Sequence, residues 1–479
     1  MKSTPLFRTQ LTALVLAMSV AGCASFAGIE PGASITAPTA LGASVEPVEW
    51  PVAGWWKNFD DPVLAGLIEQ ALAGSPSLRL AEARVVKARA LAGIAESALS
   101  PQLSANADST RQRLSENGTI PPPFAGTVRN INHAALNGSW ELDFFGRNRA
   151  ALDAALGSAR AAEADAQAAR VLLASNVARG YFSLARLLEQ REVARATLAQ
   201  REAILQLVGS RVAAGIDTRV ELRQAEGSLP EIRRDLEALE EQIGLAHHAL
   251  AALTGQGPEA TADVAPTLAT VRPQALPQAI PADLVGRRAD LAAARWRVEA
   301  AARDIDGARA QFYPNINLIA LAGFSSIGLG NWFKAGSSEV GFGAAIHLPI
   351  FDAGRLRANL RGVTADADAA VESYNATLIE ALREVADQIT SQRAVERQLR
   401  EQQAAQEAAE SALDLALQRY RAGLGTYLSV LTAETNVLAQ RRTAIDLKAR
   451  GIDSNLQLIR ALGGGFAEAT QMPTPPAAT

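Results

Sequence analysis

Residues 140–255 and 348–463 repeat one pattern, and a chain made of two copies of so long a segment is confined to few architectures. The first copy opens on Trp140-Glu-Leu-Asp-Phe-Phe-Gly146-Arg147, runs through an Ala-rich stretch to Arg211-Val-Ala-Ala-Gly215-Ile-Asp-Thr218, and closes at Leu253-Thr-Gly255. The second opens on Leu348-Pro-Ile-Phe351-Asp-Ala-Gly354-Arg355, reaches Arg419-Tyr-Arg-Ala-Gly423-Leu-Gly-Thr426, and closes at Leu462-Gly463. Gly146 and Gly354 are 208 positions apart, and so are Gly215 and Gly423. A register held over that distance marks two copies of one supersecondary unit, not a catalytic domain beside a regulatory one. An enzyme site is seldom needed twice in a chain, whereas a wall is made by repetition.

Proline placement sets the length of the helices. None occurs between Pro123 and Pro230 or between Pro349 and Pro473, and both windows are rich in Ala, Leu, Gln, Glu and Arg. Proline would break a helix and these residues favour one. Long helices are therefore expected over 147–212 and 354–421, each roughly 65 residues or about 100 Å. Helices of that length need neighbours along their whole course, as in coiled coils, and the Ala density permits close approach. Each stops at a glycine turn and returns as a shorter helix, 217–253 and 426–462, with a kink expected at Pro230.

Before each long helix the periodicity changes to two. From Asn132 to Phe144, Ala134, Leu136, Trp140, Leu142 and Phe144 alternate with His133, Asn137, Ser139, Glu141 and Asp143, the pattern of a strand with one apolar and one polar face. The first repeat, 50–255, is thus expected to hold helices within 62–99, broken at Gly74-Ser75-Pro76, and strands at 102–113 and 131–144. The second, 283–464, holds a helix at 288–311 and strands at 315–327 and 339–350. Residues 256–282, with five prolines, read as a linker, and 465–479 as a disordered tail. Strands of this length suit an outer-membrane barrel, but four are too few to close around a lumen, and an open edge in lipid leaves backbone groups unpaired. Several chains pooling their strands resolve the conflict.

The N-terminus carries a processing signal. Lys2 and Arg8 precede a short apolar run, Leu11 to Val20, which is too brief to span a bilayer. It ends in Val20-Ala21-Gly22-Cys23, similar to a bacterial lipobox, so 1–22 is expected to be removed and Cys23 to carry a covalent lipid. Ala24 is permissive for outer-membrane sorting. Cys23 is the only cysteine, which excludes an intrachain disulfide. Residues 23–49 read as a lipidated tether. The net charge of −4, with both signs interspersed, gives no indication of a nucleic-acid partner. His247 and His248 point about 100° apart on a helix and do not readily share a metal. No phosphate-binding glycine loop or nucleophile elbow occurs, and no catalytic residue, metal site or cofactor is expected.

Several segments together resemble the TolC-like outer-membrane efflux factors, in the lipoprotein (NodT-type) branch that serves resistance-nodulation-division pumps. Trp55-Trp56 with Phe59-Asp60-Asp61-Pro62 is similar to that family's opening block. Ile280-Pro281-Ala-Asp283-Leu284-Val-Gly-Arg287-Arg288-Ala289-Asp290 resembles its most diagnostic segment, and Gln311-Phe312-Tyr313-Pro314 and Leu348-Pro349-Ile-Phe351-Asp-Ala-Gly354-Arg355 resemble the approaches to and exits from its second strand pair. The likeness spans about residues 50 to 464. Ala289 stands where the family has proline and Arg295 where it has glutamate; the first is expected to loosen the helix start at Arg288.

The resemblance implies a mainly α fold with β: an internally duplicated long-helix α-barrel, plus a four-stranded contribution to a twelve-stranded outer-membrane β-barrel shared by a homotrimer. It implies an exit duct of a tripartite pump, with a periplasmic adaptor and an inner-membrane resistance-nodulation-division pump as partners besides outer-membrane lipid. Loops 114–130 and 328–338 would face outside. Ala214-Gly215-Ile216 and Ala422-Gly423-Leu424 resemble the tip motifs that contact the adaptor. Asp414, nine residues before Gly423, resembles an aspartate lining the closed entrance, where a ring of carboxylates favours cations. Arg419 and Tyr420 are expected to pair with a neighbouring helix and hold the aperture shut, with Asp217 and Arg211 in similar roles in the first copy. The residue 208 before Asp414 is Gln206, so a gate carried mainly by the second copy is expected. Rival readings are a lipid-anchored periplasmic coiled-coil scaffold, and the same fold serving type I secretion or metal efflux.

Overall fold

A computed structural model describes residues 25–44, 50–269, 284 and 286–467. The signal segment, Cys23, Ala24, residues 45–49, residues 270–282 of the proline-rich linker and residues 468–479 lie outside the described residues. The elements run α1 (Pro62–Gly74), α2 (Pro76–Ser97), β1 (Gln102–Arg113), β2 (Val128–Leu142), α3 (Arg147–Ala213), α4 (Arg219–Leu253), α5 (Ala289–Ala310), β3 (Asn315–Ile327), β4 (Ser338–His347), α6 (Arg355–Arg421) and α7 (Tyr427–Ala461). The helices after α1 keep the duplication in length. The long helices α3 and α6 are each 67 residues, the returning helices α4 and α7 are each 35, and α2 and α5 are each 22. Helix α4 continues through Pro230.

The ends of β2 and β4 differ from the sequence expectation. Strand β2 ends at Leu142 because Asp143 belongs to the next helix: its carboxylate accepts the backbone N–H of Asn148 at 3.1 Å and of Arg149 at 2.8 Å. Asp352 does the same ahead of α6, accepting from Gly354 at 3.0 Å and Leu356 at 2.8 Å. Strand β4 stops at His347, shortly before Pro349, which has no N–H to give a ladder. At its other end β2 starts at Val128, since pairing with β1 continues to Arg113.

The two copies do not fold as two domains. Among the described residues, a first unit comprises 25–35, 84–162 and 293–374 and a second the remainder of 36–83, 163–292 and 375–467, so each unit draws on both copies. The reason lies in pairing. A lone hairpin is marginal in water, and the hairpin of each copy completes a sheet only with the other.

In the first unit the strands form one antiparallel sheet in the order β1-β2-β3-β4, with β2 pairing β3 across the copies. The register places Leu103, Gly138, Ala320 and Phe342 in one row, and that face also carries Leu136, Trp140, Leu318, Val340 and Ile346. The opposite face carries Ser104, Asn106, Asp108, His133, Asn137, Ser325 and Glu339. Apolar side chains on the first face stand open: Phe342 is 94 % and Val340 81 % exposed.

Residues 25–35, expected as part of a tether, are instead fastened to this unit. Ile29 is buried with Ile305, Phe312, Leu356 and Leu360, and Phe26 stands edge-on to Phe312 at 5.6 Å. Asp368 accepts the backbone N–H groups of Gly32 and Ala33, each at 2.9 Å, and the Arg357 guanidinium donates to the carbonyls of Ser25 and Ala27. Small and proline-rich composition suggested a free segment, but one Ile and one Phe suffice to dock it.

In the second unit Trp55, Phe59, Leu64 and Ile68 pack with Val177, Phe182, Leu184 and Ile232, and further along the helices Ile204, Val208, Leu413, Tyr420, Tyr427 and Val430 form a separate cluster. The expected loosening at Arg288 is not seen. Its buried guanidinium reaches both oxygens of Asp290 at 3.1 and 2.6 Å, Glu384 at 2.9 Å and the Ala461 carbonyl at 2.9 Å, so side-chain bonds hold the helix start that proline would otherwise set.

Candidate functional site

The site is built from the two glycine turns of the second unit. Gly215 has φ +72° and Gly423 φ +74°, the left-handed geometry that ends a helix without a Cβ clash. Gly215 N–H donates to Val212 at 3.0 Å and Ile216 N–H to Arg211 at 2.9 Å; Gly423 donates to Tyr420 at 3.0 Å and Leu424 to Arg419 at 2.8 Å. Both are therefore the same motif, in which a short and a long bond satisfy the last carbonyls of the helix. Helix α4 then starts on a capping box formed by Thr218 and Glu221. Ala214, Gly215, Ala422 and Gly423 are exposed on the turns, and so are the apolar Ile216 (61 %) and Leu424 (71 %).

Three of the expected gate residues meet in one cluster. The Arg211 guanidinium grips Asp217 with both arms, Nε to Oδ2 at 2.8 Å and Nη2 to Oδ1 at 3.2 Å. The Tyr420 hydroxyl donates to the same Asp217 Oδ2 at 2.5 Å, and Arg211 lies over the Tyr420 ring at 4.5 Å. Tyr420 is fully buried, with Tyr427 beside it at 6.2 Å between ring centres. The hydrogen bond from Arg211, supported by that from Tyr420, holds the Asp217 carboxyl below the usual carboxylate range. Burial, then the Asp217 carboxylate, raises the Tyr420 phenol. The tyrosine of the second copy is thus tied to the turn of the first.

The other two stand apart. Asp414 is exposed and accepts a hydrogen bond from Gln418, one turn along its own helix, at 2.7 Å. Arg419 is exposed and donates to the Leu424 carbonyl at 3.3 Å. The cluster itself draws on both copies, Arg211 and Asp217 from the first and Tyr420 from the second. The cause is a substitution between copies: the arginines correspond, Arg211 with Arg419, but Gly425 stands where the first turn has Asp217.

A buried ion pair was not anticipated. Arg201 and Glu434 face each other at 3.3 Å with their side chains 7 % and 4 % exposed. The signal was present: Ala194, Thr197, Arg201, Ile204 and Val208 fall on one stripe of α3, and Tyr427, Val430, Glu434 and Val437 on one stripe of α7. A charge at a stripe position needs a partner across the interface. Among the described residues, no group of three or more His, Cys, Asp or Glu is placed to hold a metal ion, and no helix is long and apolar enough to cross a membrane.

Comparison with known proteins matches the family model described as outer membrane efflux protein over residues 67–256 and 280–464. The fusaric acid resistance protein FusA of Burkholderia cepacia is 39 % identical over 365 residues, 74 % of this chain and 69 % of that protein. The multidrug resistance outer membrane protein MdtP of Escherichia coli K12 is 33 % identical over 432 residues, 87 % of each chain. The crystal structure of the outer membrane protein VceC of Vibrio cholerae has a TM-score of 0.82 and 38 % identity, covering 87 % of this chain and 100 % of that one.

Proposed function

The chain belongs to the outer membrane efflux protein family and is an outer-membrane efflux channel, and on that footing we propose that three copies assemble into a passive exit duct, gated at the glycine turns. One observation carries the assembly: a four-stranded sheet whose apolar face is open and whose outer strands β1 and β4 each pair on one side only. Lipid accepts that face, but no membrane sheet leaves a row of backbone groups unpaired, so edges must meet edges of further copies. Three four-stranded contributions make a twelve-stranded barrel.

The exposed Ile216 and Leu424 suit contact with an adaptor protein in the periplasm, through which an inner-membrane pump of the resistance-nodulation-division class delivers cargo. The energy comes from the pump; this chain conducts and gates. The relatives named for fusaric acid resistance and multidrug resistance support small organic molecules as that cargo. Acylation of Cys23 adds an anchor, at roughly 0.8 kcal/mol per buried methylene. The fastening of residues 25–35 beside the start of β3 supports an anchor held close to the sheet.

The test is extraction of the outer-membrane fraction in mild detergent, followed by electrophoresis with and without heating and by planar-bilayer recording. A heat-labile trimer that conducts is the expected result. A monomer without conductance, released from the membrane by Cys23→Ala alone, overturns the duct.

A further inference from the structure

The Arg201–Glu434 pair joins more than two helices. Arg201 of α3 faces Glu434 of α7 at 3.3 Å, and its Nη1 donates to the Ser228 backbone carbonyl of α4 at 2.7 Å. Glu231 of α4 lies 3.8 Å from the same nitrogen, with its carboxylate mostly in solvent. The second Glu434 oxygen is buried and accepts no hydrogen bond, so Arg201 alone satisfies this carboxylate. One guanidinium therefore pins three helices of a chain, and it does so behind the turns. Arg201 precedes Arg211 by ten residues, about 15 Å along the helix.

The duplication shows that this is not a requirement of the helical fold. The positions related by 208 residues are Ala409 and Glu226, a small apolar residue and a glutamate that pairs with Arg223 on its own helix at 2.6 Å. The same supersecondary unit packs there with no buried ion pair. Beyond Arg201 and Glu434 toward the turns, the contacts are apolar (Ile204, Val208, Leu413, Val430) until the Arg211–Asp217–Tyr420 cluster closes the end.

We propose that Arg201 and Glu434 are a positioning pair, the fulcrum of the gate: they hold α7 on α3 and α4 while the segments between them and the glycine turns move apart to open. The inference rests on the duct reading and deepens it by saying where the moving part begins. Burial raises the Glu434 carboxyl and the facing Arg201 opposes the shift, as expected for a charge kept inside the helices only by its partner. The buried Tyr427 phenol also feels this pair: burial raises it, the Glu434 carboxylate adds to the rise and Arg201 opposes it.

Single replacements leave one charge stranded and risk misfolding, so the informative variant removes both, R201M/E434L, because apolar substitutes of similar volume commonly preserve stability. Wild type, R201M/E434L and Y420F are compared as purified trimers by single-channel recording, with Tm measured on each. The expected outcome for R201M/E434L is a wild-type Tm with severalfold more frequent and larger openings, as the moving segment lengthens. Unchanged openings at unchanged Tm, while Y420F opens more often, overturn the fulcrum and leave the duct standing. A fall in Tm without altered openings in the surviving trimer assigns the pair a merely structural role and also overturns it. Absence of conductance from wild type overturns the duct reading instead.

Discussion

Asp217 receives three hydrogen bonds, two from one guanidinium and one from a buried phenol, and the carboxylate is the hub on which the two copies meet. Hydrogen bonds to a charged group contribute roughly 1.5–3 kcal/mol each. Tyr420→Phe keeps the ring and the Arg211 contact but removes one bond, so it should raise open probability in bilayers with only a small loss of Tm. The pH dependence follows from the direction of the shift. With its carboxyl held low in the folded chain, Asp217 stabilises fully above the ordinary carboxylate range, and this is lost as the pH falls through that range toward the depressed value, because the unfolded chain binds the proton first. Glu434 has the opposite sign: its raised carboxyl favours the folded chain at low pH, and that contribution is lost as pH rises through the raised value. Thermal melts across acid pH should show a flattened acid limb for Asp217→Asn; an unaltered limb removes Asp217 from the account. At this scale Arg211, Asp217 and Tyr420 were legible as candidates, but their meeting was not, because Asp217 and Tyr420 are 203 positions apart.

Helix ends were the most legible elements. Glycine after a long uninterrupted Ala-rich run forecasts a left-handed stop, and both Gly215 and Gly423 supply one. Gly423→Val should lower Tm by several degrees, since a β-branched residue at positive φ costs on the order of 1–3 kcal/mol, and a Gly423→Asn variant should recover much of it. Equal losses for Val and Asn would place the cause in packing instead of backbone geometry. Strand ends were less legible. The alternation continues through Asp143 and Phe144, but the backbone N–H groups of Asn148 and Arg149 compete for Asp143, and capping wins over one more residue of ladder.

For the whole molecule, the decisive surface is the open apolar face of the sheet. Phe342→Arg places a charge where lipid is expected, at about 2–4 kcal/mol for a position near the bilayer midplane. It should abolish assembled trimer in the outer-membrane fraction, whereas Glu339→Arg on the opposite face should assemble and alter ion selectivity. Assembly of both variants at wild-type levels would reverse the assignment of the two faces.

The sequence by itself determined the repeat, the long helices, the alternating strands and the turns, because each is fixed by local periodicity and by where proline and glycine stand. Family membership was legible too, through short segments near the helix and strand junctions. Only the tertiary structure decided that the copies interleave into units shared between them, that residues 25–35 dock instead of trailing free, and that Arg201 finds Glu434 across 233 positions. Periodicity says which face of an element must be covered and leaves open what covers it; that choice is made by contacts between segments far apart in the chain, where a single charge on an apolar stripe selects its partner.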